Sequence, residues 1–262
     1  MPRDERGEDS KGAPFAGRVA LVTGGAGAGI GGATCHRLAA LGAAIAVVDV
    51  HLGRTEAMAT ALAEQHGVVT LPVALDVADY AALDAGVARV ESTLGPVDLL
   101  VNNAAINVQG SIFEFELATF ERILSVDLTA CFALARRVLG GMRERRWGRI
   151  VNVSSVAAYL GGSGREVAYS VAKAGLNELT RAIAVEAGPY GIRCNAVAPG
   201  LVESKWVERQ RDRYDTFLEA TPLRRHARPV DVANVVAFLC SDESAHVTGE
   251  IVNVSGGWYL SP

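Results

Sequence analysis

The chain has 262 residues, of which 50% are hydrophobic and 21% are charged, and its formal net charge is -4. This length is enough for one sizeable hydrophobic core, so it predicts a single domain. A nucleic-acid partner is not expected, because 25 basic residues against 29 acidic ones leave no basic excess to bind phosphates. The four cysteines stand singly, without the close pairs of a zinc site or a disulfide scaffold, which indicates a reducing compartment.

The first residues mix basic and acidic side chains and contain no apolar stretch typical of a signal peptide. We therefore expect a disordered polar tail over residues 1–15, a single domain over residues 16–262, and a cytoplasmic location. The longest apolar stretch, residues 38–48, is broken by Gly42 and is shorter than the roughly 18 residues that a membrane span requires. No membrane insertion is expected.

From Arg18 onward, short runs of Val, Ile, Leu and Ala alternate with longer amphipathic stretches. This alternation is typical of β-α-β units, and it predicts an α/β fold with one doubly wound parallel sheet of the Rossmann type. Seven strands are expected, at Val19–Thr23, Ala44–Asp49, Val68–Leu75, Leu99–Asn102, Arg149–Ser154, Arg193–Val197 and Ile251–Val254. Helices are expected at Ile30–Leu41, within Leu117–Arg145 and at Val167–Ala187.

The first predicted strand is followed by a glycine-rich turn, residues 23–32, and then directly by a helix that starts at Ile30. Glycines let the backbone approach a pyrophosphate closely, and a helix N-terminus offers free N–H groups. This pattern predicts a dinucleotide-binding site. Two assignments of the contacting glycines stay open, namely Gly25, Gly29 and Gly31, or Gly27, Gly29 and Gly32.

Asp49 ends the second predicted strand, 18 positions after Gly31. A carboxylate at this place can accept hydrogen bonds from both ribose hydroxyls and repels a 2′-phosphate. The neighbouring positions that would favour NADP with a basic residue hold Ala28 and Val50. NAD is therefore predicted as the cofactor in preference to NADP.

Tyr169 and Lys173 are four positions apart on a predicted helix, so both lie on one face. To act as a base near neutral pH, a phenol must have its pKa lowered by roughly three units, or about 4 kcal/mol. The ammonium of Lys173 and the positive nicotinamide are expected to supply this shift together.

With these elements in place, the chain resembles the short-chain dehydrogenase/reductase family over residues 17–258, in a short form like that of 3-oxoacyl reductases. The resemblance is specific because several motifs occur in the family's order. They are Asp76-Val77, Asn102-Asn103-Ala104-Ala105, Asn152-Val153-Ser154-Ser155, Tyr169-Ser170-Val171-Ala172-Lys173, Pro199-Gly200 with Ser204, and Gly256-Gly257.

The resemblance implies reversible interconversion of a secondary alcohol and a ketone by hydride transfer, with Tyr169 as the general acid/base. It also implies that Lys173 holds the cofactor ribose and that Ser155 hydrogen-bonds the substrate oxygen. The cofactor contacts that it implies comprise Ile30, Asp76, Val77, Asn103, Ala104, Tyr169, Lys173, Pro199, Gly200, Val202 and Ser204. A homotetramer and a small-molecule substrate are expected on the same ground.

Three features depart from the family pattern. The glycine-rich turn is one residue longer, and Ser155 precedes Tyr169 by 14 positions, one more than usual. Asp127 stands where the family has an Asn that helps to hold a water linking Lys173 to solvent. Because Asp127 adds a negative charge, we expect a working proton relay with an altered pH dependence, and Asp127 joins the candidate catalytic residues.

Residues 203–221 mix aromatic and charged side chains and are expected to form a lid over the substrate. Asn107 and Gln109 are candidates for the rim of the same pocket.

The five histidines show no metal-ligand spacing, so no metal is expected. Two alternative functions remain, a catalytically silent NAD-sensing protein and an NAD-dependent epimerase or dehydratase. An enoyl reductase is disfavoured, because its Tyr and Lys are spaced more widely than Tyr169 and Lys173.

Overall fold

The computed structural model describes residues 12–161, 165–204 and 217–260. A single sheet of seven parallel strands forms its centre, in the spatial order β3-β2-β1-β4-β5-β6-β7. The strands are β1 Val19–Thr23, β2 Ala44–Asp49, β3 Thr70–Ala74, β4 Leu99–Asn102, β5 Gly148–Val153, β6 Ile192–Pro199 and β7 Ile251–Val254. The predicted doubly wound α/β fold is confirmed, with strand bounds that differ by at most two residues.

Helices cover both faces of the sheet. They are α1 Ile30–Ala40, α2 Leu52–His66, α3 Tyr80–Leu94, α4 Leu117–Leu124, α5 Ala130–Arg145, α6 Val167–Ala187 and α7 Pro229–Cys240. One hydrophobic layer joins the sheet to α3, α5 and α6, and the other joins it to α1, α2 and α7. Strands β1, β4, β5 and β6 are buried along their whole length, which explains why most of their residues are apolar.

The strand order reverses between β1 and β4, which lie side by side with Leu21 opposite Leu100. The loops that follow these two strands leave the sheet in opposite directions and open a crevice at its carboxyl edge. Ligands of open α/β sheets bind in such a crevice. The fold therefore places the glycine-rich turn after β1 and the loop after β4 at one site.

The long stretch Leu117–Arg145 is helical throughout, but its helix is not uniform. A wider π-helical turn, Ser125–Thr129, separates α4 from α5. π-helical turns are rare, usually occur within α-helices, and are frequent at functional sites. Here the turn carries Asp127, whose side chain is fully buried.

The expected polar tail over residues 1–15 needs a correction at its end. Phe15 is only 2% exposed and packs in the layer that contains Leu38 and Ile45. Its N–H also donates to the Leu41 carbonyl at 2.8 Å. Residues 1–11 lie outside the described part of the chain. Among the helices that the structure describes, none combines the length and apolar character needed to cross a bilayer.

Candidate active site

A cavity of about 290 Å³ opens at the carboxyl edge of the sheet. It brings together nine of the predicted site residues, namely Ile30, Asn103, Ser155, Tyr169, Lys173, Pro199, Gly200, Val202 and Ser204. Asn107 and Gln109 also line it, in agreement with the prediction that they form its rim. Ala104, Asp49, Asp76, Val77 and Asp127 do not line the cavity, and neither do Gly25, Gly29 and Gly31.

The glycine-rich turn is tightly packed at some glycines and open at others. A Cβ on Gly31 would lie 2.2 Å from the Gly24 carbonyl oxygen, and one on Gly32 would lie 1.9 Å from that of Gly27. Around Gly29, by contrast, no atom lies within 4 Å of the Cβ position. Gly29 precedes the first turn of α1, so this open space lies where the helix presents its free N–H groups. The local structure fits a pyrophosphate there.

Thr23 is a residue that sequence reasoning missed. Its buried hydroxyl accepts hydrogen bonds from the backbone N–H groups of Asn103, at 2.9 Å, and Ala104, at 3.0 Å. The Asn103 amide in turn donates to the carbonyls of Thr23, at 2.9 Å, and Gly24, at 3.2 Å. These bonds fasten the loop after β4 to the glycine-rich turn after β1. Asn103 therefore shapes the nucleotide crevice. In the sequence, the hydroxyl residue at the end of β1 was the feature that could have indicated the role of Thr23.

Asp49 and Asp76 lie at the ends of neighbouring strands. Asp49 ends β2 and accepts from the His51 N–H at 3.3 Å, which leaves carboxylate oxygen atoms for other donors. Asp76 accepts from the Ala78 N–H and pairs with Arg122 at 2.7 Å. Although partial burial raises the pKa of Asp76, these two contacts lower it by more. Val77 is buried in the core, so only its backbone is placed to meet a ligand.

The segment after β6 forms the opposite wall of the cavity. A Cβ on Gly200 would lie 3.0 Å from Ser255 Cα, so this glycine permits close packing against the end of β7. Val202 pairs with Ala227 in an isolated bridge, which fixes the path of the chain towards Ser204. The expected lid, residues 203–221, lies in part outside the described residues. Of its described part, Phe217 lines the cavity and packs edge-on against Trp258.

The three expected catalytic side chains converge in the cavity. Ser155 follows β5, and its hydroxyl is hydrogen-bonded to the Tyr169 phenol. Tyr169 and Lys173 lie on one face of α6, with Lys173 Nζ 5.3 Å from the centroid of the Tyr169 ring. Lys173 is only 2% exposed, and its ammonium donates to the Val153 carbonyl at 3.0 Å. Ser154 is buried and donates to the Lys173 carbonyl, which agrees with a structural role.

Asp127 faces Lys173 directly. Its Oδ2 lies 3.4 Å from Lys173 Nζ, and its Oδ1 accepts from the Ile106 N–H at 2.9 Å. The negative charge that Asp127 adds to the family pattern therefore lies beside the ammonium, while its part in a proton relay stays a prediction. Burial lowers the pKa of Lys173, but the facing Asp127 and Tyr169 raise it by more, so the amine stays protonated.

The protein's own residues raise the pKa of Tyr169. Burial is the largest cause, and it outweighs the opposing effects of the Lys173 ammonium and the Ser155 hydroxyl. The carboxylates of Asp127 and Glu166 raise the pKa further. The phenol is therefore protonated in the protein alone, and the lowering of its pKa by Lys173 and the nicotinamide together stays a prediction.

Asp127→Asn is expected to shift the pH dependence of alcohol oxidation towards lower pH. Oxidation requires the Tyr169 phenolate, and removal of the nearby negative charge of Asp127 lowers the phenol pKa. The acidic limb of the kcat/KM profile should move towards lower pH. Asp84→Asn, which neutralises an exposed carboxylate on α3, serves as the matched control. Superimposable profiles for wild type and Asp127→Asn would remove Asp127 from the proton chemistry.

Glu166 is a second residue that sequence reasoning missed. It occupies the N-cap position of α6, three positions before Tyr169, and it lines the cavity. Its Oε1 accepts from the side-chain amides of Asn107, at 2.9 Å, and Gln109, at 3.2 Å. The spacing of Glu166 to Tyr169 was visible in the sequence, but the contact of Glu166 with two amides from the loop after β4 was not.

Within the described ranges, no cluster of three or more metal-ligating side chains occurs.

Comparison with known proteins agrees with this geometry. A family model described as "Enoyl-(Acyl carrier protein) reductase" matches residues 25–259. The chain is 36% identical to the 3-oxoacyl-[acyl-carrier-protein] reductase of Aquifex aeolicus over 93% of its length and 98% of that protein. It is 37% identical to an acetoacetyl-CoA reductase of Rhizobium meliloti, over 93% and 99%. The crystal structure of a levodione reductase, 37% identical, superposes with a TM-score of 0.88 over 93% of this chain and 98% of that one.

The matched family model covers the glycine-rich turn from Gly25 onward, the Ser155, Tyr169 and Lys173 positions and the segment after β6. The relatives named above are reductases, and those named for a substrate act on a ketone or oxoacyl group. Together with the convergence of the three side chains in one cavity, this identifies the chain as a member of the short-chain dehydrogenase/reductase family, whose enzymes are nicotinamide-dependent oxidoreductases that interconvert alcohols and ketones.

Proposed function

We propose that this protein is a dehydrogenase/reductase that interconverts a secondary alcohol and a ketone and prefers NAD. The observation that carries the proposal is the convergence of Ser155, Tyr169 and Lys173 on one cavity beside the nucleotide crevice. A silent NAD-sensing protein would not require this set of side chains. The epimerase or dehydratase alternative has less support, since the relatives named above are reductases.

In the ketone-reducing direction, Tyr169 donates its proton to the substrate oxygen. The Ser155 hydroxyl donates a hydrogen bond to the same oxygen and stabilises the negative charge that develops there. Lys173 keeps a positive charge beside the phenol and stabilises the phenolate that remains. The nicotinamide, when bound, supplies the hydride in this direction and accepts it in the other. Burial raises the pKa of Tyr169, so the phenol carries the proton that this step requires.

The preference for NAD is argued from Asp49 at the end of β2. Its carboxylate has an oxygen to offer to the ribose hydroxyls, and its charge disfavours a 2′-phosphate. The adjacent Val50 and Ala28 offer no positive charge. The cavity is lined at one end by residues beside which we place the nicotinamide, namely Ile30, Pro199, Gly200, Val202 and Ser204.

Asp49→Ala is expected to weaken discrimination between the two cofactors. The ratio of the NADPH and NADH dissociation constants should fall at least about tenfold, because the repulsion of the 2′-phosphate is removed. Titration of nucleotide fluorescence against the apoprotein gives both constants, and reduced-nicotinamide absorbance with a panel of ketones and secondary alcohols gives turnover. Asp84→Ala, an exposed acid outside the crevice, is the control. An unchanged ratio in Asp49→Ala would contradict the role of Asp49, and absence of turnover with every compound and both cofactors would contradict the proposed activity.

We also propose a homotetramer in a reducing, cytoplasmic compartment. An apolar groove runs between α5 and α6, and Phe132 at its edge is half exposed. Such a surface is suited to cover by a second copy. The four cysteines are all buried free thiols, which are kept in reducing surroundings. Light scattering that gave a stable mass near the 27.5 kDa of one chain would contradict the assembly.

A further inference from the structure

The rim of the cavity carries a carboxylate that the reaction itself does not use. Glu166 is held from one side, since both the Asn107 and the Gln109 amides donate to Oε1. Among the residues that the structure describes, no hydrogen bond reaches Oε2. The two amides fix the orientation of the carboxylate and leave Oε2 as an acceptor on the cavity wall.

The backbone around Glu166 also holds it in place. The Gly110 N–H donates to the Arg165 carbonyl at 2.9 Å, and Gly110 and Glu166 form an isolated parallel bridge. Backbone and side-chain hydrogen bonds thus both connect the loop after β4 to the start of α6. A carboxylate fixed in this manner is a preorganised binding group, because little side-chain entropy is lost when a ligand arrives.

The charge of Glu166 is not offset within the described cavity wall. Lys173 is the one cationic side chain among the described lining residues, and Asp127 already faces it at 3.4 Å. Glu166 lies close enough to Tyr169 to act electrostatically on the phenol. A substrate whose carbonyl meets Tyr169 therefore has its neighbouring atoms within the influence of a negative charge.

We propose that Glu166 determines substrate specificity by selecting compounds that carry a hydrogen-bond donor, a hydroxyl or an ammonium group, near the reacting carbon. The same carboxylate disfavours substrates with an anionic group at that position, because like charges and an acceptor facing an acceptor both oppose binding. This inference rests on the proposed ketone–alcohol activity and adds the chemical class of its substrate.

Four ketones of similar size test the proposal: 4-hydroxy-2-butanone, 4-ammonio-2-butanone, 2-pentanone and levulinate. Their binding to the enzyme–NADH complex is measured by the change in NADH fluorescence, and their reduction by absorbance. We expect the hydroxyl and ammonium compounds to bind wild type at least about tenfold more tightly than 2-pentanone, on the scale of one hydrogen bond to a charged group. Levulinate should bind more weakly than 2-pentanone.

Two substitutions separate charge from hydrogen bonding. Glu166→Gln keeps an acceptor but removes the charge, so it should abolish the preference for ammonium and the penalty on levulinate while part of the hydroxyl preference remains. Glu166→Leu should abolish all three effects. Glu178→Gln, an exposed carboxylate on the same helix, should leave the four ratios as in wild type. Thermal unfolding of each variant checks that it is folded.

Equal ratios in wild type, Glu166→Gln and Glu166→Leu would overturn the proposal, and so would tight binding of levulinate by wild type. Failure to bind either donor-bearing ketone would overturn it as well. The failure of the proposed activity has a different signature, namely that ketones bind to the enzyme–NADH complex with the expected ratios but none is reduced.

Discussion

Tyr169→Phe is expected to lower kcat/KM for ketone reduction by about 10³-fold. We propose the phenol as the proton donor in the cavity, and general acid–base groups contribute roughly 10² to 10⁴ in rate. The ring itself is retained, so its packing on α6 and the 5.3 Å approach of Lys173 Nζ are preserved. The NADH dissociation constant should therefore change by less than about threefold, in keeping with a loss of one hydrogen-bonding group.

The measurement compares reduced-nicotinamide absorbance for wild type and variant over a range of pH. Tyr190→Phe removes a phenol outside the cavity, beside Arg143, and is the matched control that should keep its turnover. If Tyr169→Phe retained more than about a tenth of wild-type kcat/KM, the general acid/base would have to be another group.

Lys173→Met is expected to destabilise the fold as well as abolish activity. The substitution leaves the carboxylate of Asp127 fully buried without the cation that faces it. Removing one partner of a buried ion pair typically costs about 3 to 5 kcal/mol. The double variant Lys173→Met with Asp127→Asn removes both charges, and it should recover most of that free energy of unfolding while remaining inactive.

Urea denaturation of the two single variants and the double variant, at pH 7 and pH 5, gives the free energies. Burial raises the pKa of Asp127, and loss of Lys173 removes an influence that lowers it. In Lys173→Met, the Asp127 carboxyl thus binds a proton more readily in the folded state than in the unfolded state. The destabilisation should therefore lessen as the pH falls. A double variant no more stable than Lys173→Met would show that the ion pair does not account for the loss.

The fold could be predicted from the sequence because its strands and helices carry local signals. Buried parallel strands such as β1 and β4 are continuous apolar runs, and α6 ends where Gly188 and Pro189 interrupt the pattern. The π-helical turn at Ser125–Thr129 has no comparable signal, because its residues are as compatible with an ordinary helix. Its effect, the burial of Asp127 against Lys173, depends on packing between helices distant in sequence.

The candidate site was predictable where a motif fixes the role of a residue. Tyr169 and Lys173 had to share a face of one helix, and Ser155 follows a strand end that the topology brings to the same edge. Contacts across the fold were not predictable in this way. Thr23 and Glu166 act through Asn103, Asn107 and Gln109, which lie about 60 to 80 positions away and meet them only after the sheet has formed.

The ties between Thr23, Asn103 and Gly24 have an energetic consequence for nucleotide binding. They are made within the protein, so the glycine-rich turn is ordered before a ligand arrives. Fixing the backbone of one flexible residue costs about 1 to 2 kcal/mol, and a loose turn would take that free energy from binding each time. In this fold the entropy of ordering the turn is lost during folding. Binding of a pyrophosphate therefore loses little further backbone entropy, and its interaction energy contributes to affinity.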